Sequence, residues 1–269
     1  MRWIVSFFCL LLLFFVPMPA FGGENPPDAT VLEQQLQEGE ALAGKAIAAL
    51  EGGDLATAEG YWSELIDRFP ENPAVWSNRG GTRVLENKLE GAIADFDRAI
   101  ELAPNAPDPY LNRGIAKEGQ KRWEEAIADY NRALDLNPED GMAYNNRGNA
   151  RAGQGRWEEA IADYQKASEL SPNLALSHAN YALALYQSDR QPEAIVTMRN
   201  LVQKYPMFAD MRAALAAVLW VQGAQGEAES NWVAVAGLDS RYQDIEWVKN
   251  IRRWPPKMVD ALERFLNLD

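Results

Sequence analysis

Three arginines recur at intervals of 34 residues, Arg79, Arg113 and Arg147, each inside Asn-Arg-Gly. Three aspartates keep step with them: Asp95, Asp129 and Asp163. One period away on either side both members change together, to Lys45 with Tyr61 and Tyr181 with Thr197, and further on to Leu215 with Asn231. Residues that come and go as a set predict a ladder of ion pairs within or between neighbouring hairpins. A partly buried guanidinium needs a partner, and its planar fork suits a carboxylate. Read instead as a basic stripe, the arginines would serve an acidic ligand. Desolvated charge must be paired, which favours the structural ladder.

Other groups that could do chemistry are few. His178 is the sole histidine, in a column otherwise holding Trp76, Tyr110 and Tyr144, so it reads as a packing residue rather than a base or ligand. Glu124-Glu125 and Glu158-Glu159 open predicted helices, where acids favour the helix dipole. The glycines sit at crossings and turns, not in a phosphate-binding loop. The single cysteine, Cys9, lies in an apolar run near the N-terminus. No catalytic residue, cofactor or metal is assigned.

The elements that hold these residues follow from self-similarity. Trp123-Glu-Glu-Ala-Ile-Ala-Asp-Tyr130 returns unchanged as Trp157 to Tyr164. Stepping by the same period gives columns. One is small, Gly80, Gly114, Gly148 and Ala182; another is Ala58, Ala92, Ala126, Ala160, Ala194 and Ala228. A bulky column runs Trp62, Phe96, Tyr130, Tyr164, Met198 and Trp232, and a proline column Pro70, Pro104, Pro138, Pro172 and Pro206. Small residues let two helices cross closely and bulky ones fill the space beside them. Proline stops a helix. Each unit therefore reads as helix A, a turn, helix B and a break, with helix A near 141–153 and helix B near 158–170. No such hairpin buries both faces alone, so neighbours must stack.

This pattern resembles the tetratricopeptide repeat (TPR), whose period is 34. The resemblance implies an all-α solenoid, a right-handed superhelix of helix-turn-helix repeats. It covers about 39–238, as units 39–72, 73–106, 107–140, 141–174, 175–208 and 209–238, after a linker and lead-in helix at 23–38. Residues 239–269 are expected to form capping helices split at Pro255-Pro256, with Trp247, Ile251, Phe265 and Leu266 covering the last repeat around Trp232 and Val235. The tail also resembles those of cyanobacterial and chloroplast thylakoid-associated TPR proteins, including a protochlorophyllide-oxidoreductase-interacting member.

In that family helix A lines the concave surface, which implies a partner-binding groove. Its candidate residues are Asn145, Asn149, Leu176, Asn180, Leu183, Tyr186 and Trp220. Tyr186 and Trp220 are the anchor candidates, since aromatic residues dominate interface hot spots; as packing residues they would only meet the next repeat. One subclass grips the C-terminal carboxylate of chaperones with lysines, asparagines and an arginine. Asn149 and Asn180 fall in its asparagine columns, but Asn145, Asp210 and Ala214 stand where its cations would be. The charge needed for a carboxylate is absent from those columns.

Composition sets outer bounds. The 269 residues carry 26 Lys+Arg against 39 Asp+Glu, a formal charge of −13. That balance disfavours nucleic acid, which demands a basic footprint. Residues 1–22 read as a secretory signal or, uncleaved, a membrane anchor: Arg2, then the apolar run Trp3 to Val16, then small and helix-breaking residues. The rest of the chain is then expected in a periplasm or thylakoid lumen, touching membrane only through that segment. The leading expectation is a non-enzymatic scaffold or assembly factor that binds a polypeptide partner in its groove, in support of photosynthetic complexes or pigment enzymes. The alternative is a non-catalytic subunit or sensor with a small-molecule or secretion-system partner; an enzyme would need a converging acid–base pair that the sequence does not offer.

Overall fold

The computed structural model describes residues 29–268; the segment read as a signal or anchor lies outside them. Twelve helices form six A/B hairpins. The A helices are α1 (Ala29–Glu51), α3 (Pro73–Leu85), α5 (Pro107–Gly119), α7 (Gly141–Gly153), α9 (Ala175–Gln187) and α11 (Ala209–Val221). The B helices are α2 (Leu55–Arg68), α4 (Leu89–Leu102), α6 (Trp123–Leu136), α8 (Trp157–Leu170), α10 (Gln191–Lys204) and α12 (Gln225–Leu238). The lead-in residues from Ala29 onward and the first helix A form one unbroken helix. The chain divides into two compact units, up to Pro138 and from Glu139.

Local chemistry sets the helix ends. Asp54, Asn72 and Asp140 each cap a helix by accepting from backbone N–H groups of the first turn. Pro73 and Pro107 open α3 and α5, where the missing N–H costs nothing. The A-to-B turn uses one left-handed residue per repeat: Gly53, Asn87, Lys121, Gly155, Asp189 and Gly223, with φ between 60° and 80°. These positions keep the 34-residue period. Glycine takes this conformation freely, whereas a lysine Cβ crowds the following carbonyl. Lys121→Gly is therefore expected to stabilise the first unit by about 1 kcal/mol, read as a rise in its urea midpoint.

The packing follows the columns. An added Cβ at Gly80, Gly114 or Gly148 would lie 2.8, 2.6 or 2.7 Å from the ring of Phe96, Tyr130 or Tyr164 of the same hairpin. The small column is thus the seat of the bulky one. In the first unit Trp62, Leu65 and Phe96 are fully buried, and in the second Met198, Met211, Leu215 and Leu219.

The tail has a different architecture from the repeats. After α12 come a single tight turn at Ser240–Gln243, a three-residue helix α13 (Ile245–Trp247), a widened helical turn at Val248–Arg252, and α14 (Pro256–Leu266). We call residues 239–254 the hook. Arg253 is left-handed, with φ 58°, and ends the widened turn just before Pro255-Pro256. Helix α14 lies against the last two repeats. It packs on the A helices α11 and α9, and reaches α12 through Phe265 on Trp232. Of the residues expected to cover the last repeat, Phe265 is buried but Ile251 is 68% exposed. Among the described residues, no helix is long and apolar enough to cross a membrane.

Candidate functional site

The arginine–aspartate columns meet inside each hairpin. Arg79 donates from Nε and Nη2 to both carboxylate oxygens of Asp95, at 3.0 and 2.7 Å. Arg113 grips Asp129 the same way, at 2.9 and 2.6 Å, and Arg147 grips Asp163 at 3.0 and 2.7 Å. Each guanidinium lies over an aromatic ring one turn earlier on its helix: Trp76, Tyr110 or Tyr144. The arginines also reach the preceding B helix, Arg79 to Ser63 and Arg113 to Asp97. Burial opposes the charge on Arg113, but the hydrogen bonds to Asp129 and Asp97 outweigh it and hold its pKa above the ordinary value.

A second cation on each aspartate is absent from the sequence reading. Arg83, Lys117 and Arg151 donate to Asp95, Asp129 and Asp163 at 2.8, 2.7 and 2.7 Å. These three also stand 34 apart and give way to Leu185 in the next repeat. The period was therefore the available signal. Each buried carboxylate is shared by two cations, so the ladder is a series of triads.

Arg83 belongs to a further network. Its Nε donates to Glu59 at 2.6 Å, and Lys88 donates to the other Glu59 oxygen at 2.7 Å. These bonds, Lys88 first and then Arg83, pull the Glu59 carboxyl from its ordinary 4.5 to about 2. A depressed folded-state pKa stabilises fully above the unfolded value and ceases to do so as pH falls through the folded one. The first unit should lose this contribution between pH 4.5 and about 2. Glu59→Gln should lower the urea midpoint at pH 7 and flatten its fall across that window.

The column that holds His178, and continues one period on to Arg212, has a role that its mixed chemistry concealed. Trp76, Tyr110 and Arg212 each donate a side-chain hydrogen to the carbonyl of the proline six residues earlier: Pro70, Pro104 and Pro206. His178 Nε2 lies 3.3 Å from the Pro172 carbonyl. A carbonyl only accepts, so that nitrogen carries the proton. The shared property is a donor at the tip of a large side chain.

The predicted groove residues fall into two sets. Asn145, Asn149 and Asn180 come together. The Asn180 amide donates to the oxygens of Asn145 and Asn149, each at 3.2 Å, and Tyr164 donates its hydroxyl to Asn149 at 3.0 Å. Leu176 is 44% exposed. Asn145 is itself buried, and the other set is not open in the groove either. Leu183 and Tyr186 are buried, and Trp220 stacks edge-on against Phe265 with ring centroids 5.4 Å apart. The chain's own tail removes both anchor candidates from the open surface, because α14 lies on the helices that carry them. Burial accordingly raises the Tyr186 pKa.

The hook completes this arrangement. Asp210, in the first turn of α11, is buried yet carries a carboxylate. Arg252 donates to both of its oxygens at 2.8 and 2.6 Å, Tyr242 donates its hydroxyl at 2.7 Å and Trp254 its indole N–H at 2.9 Å. Arg252 also lies 3.4 Å from the Asn180 oxygen. Burial opposes the Arg252 charge and Asp210 restores it, leaving the pKa raised; the Tyr242 pKa is raised by burial and by the same carboxylate. Sequence reasoning missed this cluster because the Asp210 column mixes Glu40 and Asp108 with Ala74, Met142 and Leu176, and its partners lie outside the repeats. Among the described residues, no group of three or more His, Cys, Asp or Glu could hold a metal ion.

Comparison with known proteins places these repeats. The tetratricopeptide-repeat family model matches residues 43–107 and 111–175. "Tetratricopeptide repeat protein 36" of Homo sapiens is 34% identical over 80 residues, 30% of this chain and 42% of that protein. The Mus musculus form is 31% identical over 80 residues, 30% of this chain and 43% of that protein. The match thus spans about two fifths of those relatives. Among solved structures, YrrB, described as a TPR protein with an unusual peptide-binding site, aligns at 20% identity with a TM-score of 0.54, over 66% of this chain and 92% of that one. The APC/C hetero-tetramer Cut9-Hcn1 aligns at 18% identity with a TM-score of 0.68, over 88% of this chain and 44% of that one. At these identities the structural likeness establishes the fold. The 34-residue period, the six hairpins and the family match agree, and the chain is a tetratricopeptide-repeat protein.

Proposed function

We propose that this protein is a non-catalytic scaffold or assembly factor that binds an extended polypeptide segment on its A-helix surface. One observation carries the reading: an A helix of the repeats already holds a non-repeat segment by side-chain recognition, Asp210 gripping Arg252 and Trp254. The repeat fold serves protein–protein interaction, and within each unit the stacked A helices present a face to a chain lying across them. The N-terminal segment supports export or membrane anchoring, so the partner is sought on the periplasmic or lumenal side, including among photosynthetic assemblies.

Two measurements test this. Full-length tagged protein cross-linked in its native membranes should yield partner cross-links on A-helix residues such as Asn149 and Ile115. Cross-links confined to B helices would sink the groove reading. A phosphatase reporter active only in export should be active when fused after residue 28. An inactive, stably expressed fusion would overturn the assigned compartment.

A further inference from the structure

The hook on Asp210 is held as a ligand is held. Every hydrogen bond described above to the Asp210 carboxylate comes from the hook: Tyr242, Arg252 and Trp254. Among the contacts described, this repeat-borne acid is matched from the hook, whereas the ladder aspartates are matched by their own A helices. The hook itself has little regular structure. It strings together a tight turn, one short helix, a widened turn and the left-handed Arg253. Widened turns and left-handed non-glycine residues are held by their surroundings, and recur at functional sites. Its outer side faces water, with Lys249, Asn250 and Ile251 exposed. Helix α14 is held by Met258, Val259, Leu262 and Phe265 in a core that Tyr242, Val248 and Trp254 of the hook share, and also by Lys257 bonded to Gln187 and Asp189, contacts that the hook does not make. Pro255-Pro256 separates the two.

We propose that the hook is a tethered ligand, and that Asp210 also receives a partner polypeptide bearing an arginine two residues before a tryptophan, exchanged for Arg252 and Trp254 while α14 stays docked. This deepens the proposed function and rests on its reading of the A-helix face. The chemistry is set by the acceptor. A desolvated carboxylate calls for a bidentate guanidinium, and the adjoining apolar wall for an indole that donates its N–H to the same group. Tethering gives the hook a millimolar effective concentration, so the site is masked until a segment of matching chemistry competes.

The test uses the full chain and a fluorescein-labelled peptide of residues 245–256, followed by anisotropy. Arg252→Ala/Trp254→Ala should bind the peptide about tenfold or more tightly than the unaltered chain, because the competing ligand has been weakened. Adding Asp210→Asn, or replacing the first of the peptide's two arginines, the one corresponding to Arg252, by alanine, should abolish binding. Absence of binding to a variant whose circular dichroism is unchanged would overturn the proposal. Equal binding with and without Asp210, or pairing of chains through exchanged tails, would overturn it too. Should the variant unfold, hydrogen exchange on the unaltered chain decides. Amides of 245–254 must exchange faster than those of α14; exchange only together shows a tail that never opens alone. Partner cross-links on A helices in cells with no peptide binding would leave the scaffold reading standing and remove the exchange.

Discussion

Asp129→Leu should cost the first unit about 3–5 kcal/mol, more than any other single change in the ladder, because breaking a buried pair strands its partner. Two cations depend on this one carboxylate. Lys117, with a side chain only 11% exposed, donates to it at 2.7 Å and has no other acid within reach in the described contacts. Arg113 keeps a second acid, Asp97, at 2.6 Å. The triad therefore makes the two ends of the Arg113–Asp129 pair unequal. Arg113→Leu leaves Asp129 neutralised by Lys117 and should be the milder change. Lys117→Met added to Asp129→Leu should restore about 1–3 kcal/mol, since removing both partners avoids the stranded charge. Urea denaturation followed by circular dichroism reads all of these. Strict additivity of Asp129→Leu and Lys117→Met would show that they are not coupled.

Phe265→Ala should cost the second unit about 3–5 kcal/mol, the usual price of an aromatic-sized hole in a core. Phe265 is 5% exposed and sits between two indoles, with ring centroids 5.4 Å from Trp220 and 5.0 Å from Trp232. It thus ties α14 to both helices of the last hairpin. Tryptophan emission should shift to the red as Trp220 and Trp232 meet water, and the shift should precede loss of helicity in denaturant. An unchanged emission maximum with a lowered midpoint would mean that α14 stays seated and that the loss is a local cavity alone.

The repeat fold was legible because its signals are periodic. Small, bulky and proline columns each state the same 34-residue rule, and any one of them would have set the hairpin. The second cation of each triad was equally periodic, at 83, 117 and 151, but pairing arginine with aspartate one to one left it unlooked for. The donors to the proline carbonyls were hidden for the opposite reason, since Trp, Tyr, His and Arg share a function and not a class. The hook was illegible in a stricter sense. It is held through one acid, Asp210, whose column mixes acids with Ala74, Met142 and Leu176. Tyr186 and Trp220 look the same in sequence whether they wait for a partner or lie beneath α14, because an interface anchor and a core residue are chosen for the same apolar area.

The tail also sets an order of events in time. The ladder contacts close loops of 16 residues, so each hairpin can form as soon as its own B helix exists. Arg252 reaches back 42 residues to Asp210 and 72 to Asn180. Closing a longer loop loses more chain entropy and comes later in folding. The repeats should therefore zip up in milliseconds or less while the last A helices stand bare. The hook arrives afterwards, as a separate slow phase, and until then Asp210 is a solvated charge on an open surface.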